Sequence, residues 1–257
     1  MEAYEKFLFD LKRKFDLDLT GYKRPQMERR INTLMRTLDI PDYDAFVLAM
    51  SNDKKLLDRF IDHLTINVSE FFRNPTQWEV LQKKILPRLL EQNPNLKIWS
   101  AGCSTGEEPY TMAMVLLEHF PKGQHRILAT DFDNRVLKKA QDGLYPAKGT
   151  TGISQELLGK YFTRQGDDYQ VKEELKRLIT FKRHNLLRDQ FPDNYDLIIC
   201  RNVVIYFTEE SKAELYRRFY YALRPGGILF TGSTEQIIQA REIGYQSPEL
   251  FFYMRPQ

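Results

Sequence analysis

The stretch IWSAGCSTGEEPYT at 98–111 constrains this 257-residue chain more than any other. It reads as a short apolar strand, a turn holding Gly102 and Gly106, and a helix with Pro109 in its first turn, where a missing N–H costs nothing. Ala113, Met114 and Leu117 continue at helical spacing. This is the first βα unit of a nucleotide-binding α/β sheet, in which ligands sit beyond the carboxyl ends of the strands. The glycines let the backbone turn tightly and approach a ligand. The dinucleotide fingerprint G-x-G-x-x-G is absent; here the pattern is G-x-x-x-G followed by Glu107 and Glu108. Two carboxylates at a helix N-terminus suit the helix dipole but repel a pyrophosphate. They fit a cationic ligand with an adenosine body, of which S-adenosylmethionine is one. A tight turn before a charge-capped helix is the alternative, and the turn alone does not choose between them.

With 42% hydrophobic residues the chain can bury a full core. No stretch reaches the apolar length of a membrane span, and MEAYEKFLFDLKRKF is too charged for a signal peptide. Two cysteines make no disulfide framework. The expectation is a cytoplasmic protein with no membrane insertion.

Residues 1–65 read as an all-helical domain. Met27, Ile31, Leu34 and Leu38 form one buried helical stripe, with Arg29 and Arg36 opposite it and Lys23, Arg24 and Arg30 on its flanks. Asp42 and Asp53 are placed to cap the next two helices. Residues 66–75 break the helical period and read as a connector, ending in Asn74 and Pro75 as N-cap and first helical residue, with Pro87 kinking or restarting the helix that follows. From 76 to 257 the pattern alternates. Strands fall at 97–100, 127–131, 179–182, 196–200, 228–231 and 251–255, helices at 134–141 and 212–223, and a turn at 224–227. The fourth strand is apolar on both faces, as buried parallel strands are. Asp131 ends the second strand, the place where such sheets bind ribose hydroxyls. At about 144–180 a small β insertion is expected, with a hairpin turn at Gly166.

Taken in order, NVSEFFR at 67–73, SAGCSTGEEPY at 100–110, Ala129-Thr-Asp131, HNLL at 184–187 and CRNVVIYF at 200–207 resemble the CheR family, the chemotaxis-receptor protein-glutamate O-methyltransferases. GEEPY and CRNVVIYF are the specific parts, and the resemblance spans nearly the whole chain. It implies a class I methyltransferase, a Rossmann-like sheet behind an N-terminal all-helical domain. It implies S-adenosylmethionine as methyl donor, S-adenosylhomocysteine as product, and methyl-accepting chemotaxis receptors as partners, the acceptor being a glutamate in their cytoplasmic helical region. By position, Asn67, Ser69, Arg73, Glu108, Asp131, Asn185, Leu186, Arg201, Asn202 and Val203 match the family's cofactor site; Ser69 replaces a common threonine and keeps the hydroxyl. Arg73 and Tyr206 are the catalytic candidates. Arg73 is expected to orient the acceptor carboxylate, against cofactor-carboxylate binding or a salt bridge closing the connector. Tyr206 is expected near the methyl donor or the acceptor, against a core aromatic at the sheet's end. Arg29 and Arg36 are the receptor-binding candidates.

No metal is required. Glutamate, with an ordinary pKa near 4.3, is already ionised at neutral pH, so no general base is required either. A small-molecule carboxylate methyltransferase with a helical lid is a competing reading, but such a lid needs no exposed cationic helix. A non-catalytic receptor-binding adaptor would have no need of Glu108, Asp131 and Asn202 together. A nucleic-acid enzyme would carry more than a net charge of +3 and an aromatic platform. The chain is expected to act as a monomer.

Overall fold

A computed structural model describes residues 2–64 and 69–257. The chain divides into two compact units: Met1–Asn67 with Tyr206–Ala213, and Val68–Ile205 with Glu214–Gln257.

The first unit carries helices α1 (Ala3–Phe15), α2 (Arg24–Thr37), α3 (Tyr43–Asn52) and α4 (Lys54–Leu64). Asp42 caps α3 by accepting from the Ala45 amide at 2.8 Å, and Asp53 accepts from the Lys55 amide at 2.8 Å. Both caps satisfy N–H groups that the first helical turn leaves open. The core is aromatic: Phe7 stacks on Tyr43 at 4.7 Å between ring centres and meets Phe46 and Phe60. Met27, Ile31 and Leu34 are buried as their spacing requires, joined by Met35; Leu38 is half-buried because α2 ends at Thr37. Arg29 and Arg36 point outward. Arg30, expected on the flank, is half-buried and donates to the His63 carbonyl, tying α2 to the end of α4. The segment Tyr206–Ala213 joins this unit from far along the chain. Tyr22 and Phe207 form an isolated bridge, their rings 5.0 Å apart, and the Lys23 amide donates to the Tyr206 carbonyl at 2.9 Å.

The second unit begins with α5 (Pro75–Val80), a π-helical turn (Leu81–Ile85) and α6 (Leu86–Gln92). Pro87 can offer no N–H to the preceding turn, and the helix widens there instead of breaking. Then come β1 (Lys97–Ala101), α7 (Glu107–His119), β2 (Arg126–Asp131), α8 (Asn134–Asp142), β3 (Leu144–Pro146), α9 (Gln155–Tyr161), β4 (Phe162–Gln165), β5 (Asp168–Val171), α10 (Glu173–Lys176), β6 (Ile179–Arg183), β7 (Tyr195–Cys200), α11 (Glu209–Ala222), β8 (Leu223–Thr231), α12 (Ala240–Ile243), β9 (Gln246–Glu249) and β10 (Phe252–Met254). The main sheet runs β6-β2-β1-β7-β8-β10-β9. It is parallel except for β10, antiparallel to both neighbours. This is the Rossmann-like sheet that the family resemblance implied. Strand order reverses between β1 and β7, so a crevice opens beyond their carboxyl ends. Every residue of β7 is buried, and Trp99 of β1 is wholly enclosed. The insertion is a three-stranded antiparallel sheet in the order β3-β5-β4.

Three details depart from the sequence reading. Residues 224–227, expected as a turn before a strand, lie inside β8: Tyr195 pairs with Leu223 but Leu197 with Ile228, so they bulge from the ladder. The polar, proline-containing β9 was not expected as a strand; it stands at the sheet edge, where proline is tolerated. Asn74 precedes α5 but its side chain does not cap it, because its Oδ1 accepts from Arg201 instead.

Candidate cofactor and active site

The glycine turn sits at the carboxyl end of β1. Gly102 and Gly106 have φ of +84° and +97°, which only glycine adopts readily. Their neighbours require glycine as well. A Cβ on Gly102 would come within 2.5 Å of Val203 Cγ2, and one on Gly106 within 2.8 Å of Ala140 Cβ. Both glycines therefore admit protein packing as much as ligand approach. The Gly102 and Cys103 amides donate to the Thr130 carbonyl at 2.8 and 2.9 Å, joining the turn to the end of β2. Ser104 Oγ is buried without a partner among the described residues.

Asp131 ends β2. Its Oδ2 accepts from the Ser104 amide at 2.9 Å and its Oδ1 from the Asp133 amide at 3.0 Å. Each oxygen keeps a lone pair, a spacing suited to two adjacent hydroxyls. Burial pushes the Asp131 carboxyl above its ordinary pKa, and the Asp133 and Ser104 amides oppose the rise. Glu108, in the first turn of α7, accepts from Ser100 Oγ at 2.8 Å, and its other oxygen lies 3.8 Å from Arg201 Nη1. Its pKa is raised by burial, with the Arg201 charge working against the rise.

Arg201 follows β7 and is buried. Its Nη2 donates to the Arg73 carbonyl at 2.8 Å, to Gln77 Oε1 at 3.0 Å and to Asn74 Oδ1 at 3.1 Å. The guanidinium lies 4.8 Å from the Phe230 ring centre and 5.7 Å from that of Trp78. Trp78 Nε1 donates to the same Arg73 carbonyl at 3.1 Å. Arg201 therefore grips the segment that carries Arg73, whose neighbours Phe72 and Asn74 both sit at positive φ, 52° and 59°. Arg73 is close enough to lower the Glu108 pKa.

On the far side of β2 the His184 amide donates to the Asp131 carbonyl at 2.9 Å. Next to it, Asn185 Oδ1 accepts from the Leu187 amide at 3.0 Å, and Leu186 is buried. Ser69 is half-buried, and Asn67 lies outside the described residues. The second unit thus gathers Arg73, Glu108, Asp131, Asn185, Leu186, Arg201, Asn202 and Val203 around the carboxyl ends of β1, β2, β6 and β7. Tyr206, Arg29 and Arg36 belong to the first unit. Tyr206 is half-buried there, its carbonyl engaged by Lys23.

One residue of this region was not foreseen. Glu235, between β8 and α12, is 4% exposed and accepts from the backbone of Asn202 and Val204. The available signal was weak: a lone acid between a polar turn and Ile237, with nothing nearby in sequence to pair it.

Comparison with known proteins bears on this arrangement. A family model described as CheR methyltransferase, all-alpha domain, matches residues 2–65, and one described as CheR methyltransferase, SAM binding domain, matches residues 67–248. The chain is 41% identical over 253 residues to a chemotaxis protein methyltransferase of Listeria innocua, covering 98% of this chain and 97% of that protein. It is 35% identical over 251 residues to one of Borreliella burgdorferi, covering 92% and 89%. With that of Escherichia coli the identity is 33% over 227 residues, covering 84% and 78%.

Proposed function

The chain belongs to the CheR methyltransferase family, and from that premise we propose that it transfers a methyl group from S-adenosylmethionine to glutamate side chains of chemotaxis receptors, forming glutamyl methyl esters. The carrying observation is the near full-length likeness to chemotaxis protein methyltransferases, together with a Glu108–Arg201–Arg73 linkage at the carboxyl edge of the sheet. The cofactor fits the residues present. Asp131 offers two acceptor oxygens for a ribose diol, Ser104 Oγ is a buried hydroxyl in want of a partner, and Glu108 adds negative charge that suits a sulfonium-bearing ligand.

When bound, S-adenosylmethionine supplies an electrophilic methyl group. The protein's part is binding, alignment and exclusion of water. Asp131 holds the ribose hydroxyls, and Asn185, Leu186, Asn202 and Val203 line the adenosine body. Arg73 orients the acceptor carboxylate through one hydrogen bond or a bridging water; a bidentate grip would stabilise the nucleophile and slow it. With the acceptor already ionised, no side chain has to remove a proton. Alignment can supply roughly 7–11 kcal/mol of the barrier reduction. Arg29 and Arg36 on α2 engage receptor carboxylates, while Tyr206 is the second catalytic candidate.

The test is tritiated methyl transfer to receptor-containing membranes, followed by alkali. Release of volatile tritiated methanol is the expected result, since esters hydrolyse and methylated amines do not. Label that stays with the protein overturns the ester. Label that goes only to small acids points to a small-molecule enzyme.

A further inference from the structure

Asn202 adopts a left-handed backbone, φ +59°, immediately after the buried Arg201. Single non-glycine residues in that region cost energy and persist only where their surroundings hold them. Here the hold is a carboxylate. Glu235 Oε2 accepts from the Asn202 amide at 2.6 Å and from the Gly232 amide at 3.0 Å, and Oε1 accepts from the Val204 amide at 2.9 Å. The Val203 backbone lies close enough to favour the charged form of the same group. Successive N–H groups around a left-handed residue make a concave nest that attracts an anion. In this chain the anion is its own side chain. The fit is close: a Cβ on Gly232 would lie 2.5 Å from Glu235 Oε2 and 3.0 Å from the Asn202 nitrogen. The nest also places Val203 against Gly102 of the glycine turn.

We propose that Glu235 is a positioning residue for cofactor binding: by filling the nest of the 202–204 amides it fixes Asn202 and Val203 at the edge where the cofactor sits. The proposal rests on the reading that Asn202 and Val203 contact the cofactor. The Glu235 oxygens are engaged by the Asn202, Val204 and Gly232 amides, so the residue acts through that backbone.

Affinity for S-adenosylhomocysteine, measured by calorimetry on the full chain, tests it. In Glu235→Gln the amide NH2 must face at least one of the backbone donors, so the nest loses its fit while side-chain volume is kept. The expected loss of affinity is about tenfold or more, the scale of hydrogen bonds to a charged group. Tyr253→Phe is the control for a merely structural effect. It removes the hydroxyl that accepts from the Ile237 amide at 3.0 Å, leaving a buried donor unpaired two residues beyond Glu235 without touching 202–204. Its affinity should stay at the wild-type value, and a loss equal to that of Glu235→Gln overturns the proposal. Asn202→Ala should weaken binding, and its effect should be less than additive with Glu235→Gln, because both act through one contact. Full additivity overturns the proposal. A weak Asn202→Ala beside an unaffected Glu235→Gln overturns it while leaving the cofactor edge intact. An unaffected Asn202→Ala removes that residue from the edge and the proposal with it. Should Glu235→Gln not fold, Glu235→Asp, which keeps the charge but withdraws it by one methylene, is read in the same way. Hydrogen exchange in the wild-type, ligand-free protein needs no variant: the Asn202 and Val204 amides should be protected, and rapid exchange there overturns the proposal.

Discussion

Asp131 shows how one carboxylate serves both the fold and a ligand. It holds the glycine turn through the Ser104 amide and the start of α8 through the Asp133 amide, and still has lone pairs for a diol. Asp131→Ala should weaken S-adenosylhomocysteine binding by about 1.5–3 kcal/mol, roughly ten- to 150-fold. Calorimetry on a folded variant with unchanged affinity would remove it from the site. The pH dependence follows from the raised pKa. The ionised carboxylate is the stronger acceptor, so affinity is complete well above the Asp131 pKa and is lost as pH falls through it. Because burial raises that pKa, the loss should begin at higher pH than for an ordinary aspartate near 3.9, and Asp131→Asn should flatten it. Arg73 belongs to the same scale. Arg73→Ala should lower turnover well beyond its effect on thermal stability, because the Arg73 carbonyl that Arg201 and Trp78 hold is still present in the variant. Arg73→Lys should rescue only in part, lacking the planar fork. Near-normal turnover in Arg73→Ala would show that another group orients the acceptor.

Among the elements, the glycine turn tolerates little change. Gly102→Ala meets both a left-handed φ and a Val203 methyl 2.5 Å from the new Cβ. Shortening Val203 to Ala in the same chain relieves the clash but not the backbone conformation, so the double variant should stay less thermally stable than Val203→Ala alone and recover only part of the stability lost in Gly102→Ala. Full recovery would mean that sterics alone select glycine there. α2 raises a different question, how a receptor is found. Its exposed Arg29 and Arg36 lie two turns apart on one face. Glu28 is taken by Arg24 at 3.1 Å, and among the described residues Arg36 reaches Asn32 O and Thr33 Oγ1 of its own helix, at 3.4 and 3.3 Å. Arg29→Ala with Arg36→Ala should leave S-adenosylhomocysteine affinity intact and cut receptor methylation. The defect should mimic added salt, which shrinks the Debye length from about 10 Å at 0.1 M to about 3 Å at 1 M. Wild-type rates with unchanged salt dependence would move the receptor surface to the β4–β5 hairpin.

For the whole molecule, the two units do not divide the chain at one point. The helical unit claims Tyr206–Ala213, which lie between β7 and the rest of α11. Phe207 is 4% exposed and meets Tyr22 edge-on. A fragment starting at 68 would keep Phe207 and lose Tyr22. Such a fragment should bind a hydrophobic dye and melt below the full chain, and Phe207→Ser should reduce the dye binding. A fragment with full thermal stability and no dye binding would show that 206–213 stands without the helices.

By itself the sequence determined what is local. The α2 stripe, the Asp42 cap, the strand–turn–helix at 98–111, the fully apolar β7 and the acid ending β2 are each written within one or two turns of helix or one strand, and periodicity and turn chemistry suffice to find them. The family resemblance also lies in short motifs, and those at 100–110, 129–131, 184–187 and 200–203 lie at the carboxyl ends of β1, β2, β6 and β7. Tertiary structure decided who satisfies whom. Arg201 finds the carbonyl of Arg73, 128 residues away, and Glu235 finds the amide of Asn202, 33 residues away. A buried charge must have partners, so the sequence demands that some exist. Which they are depends on where the chain returns, and that is set by strand order and by the packing of Trp78 and Phe230 around the guanidinium. The same reason hid the edge strand β9, whose polar residues pair only because β10 lies beside them.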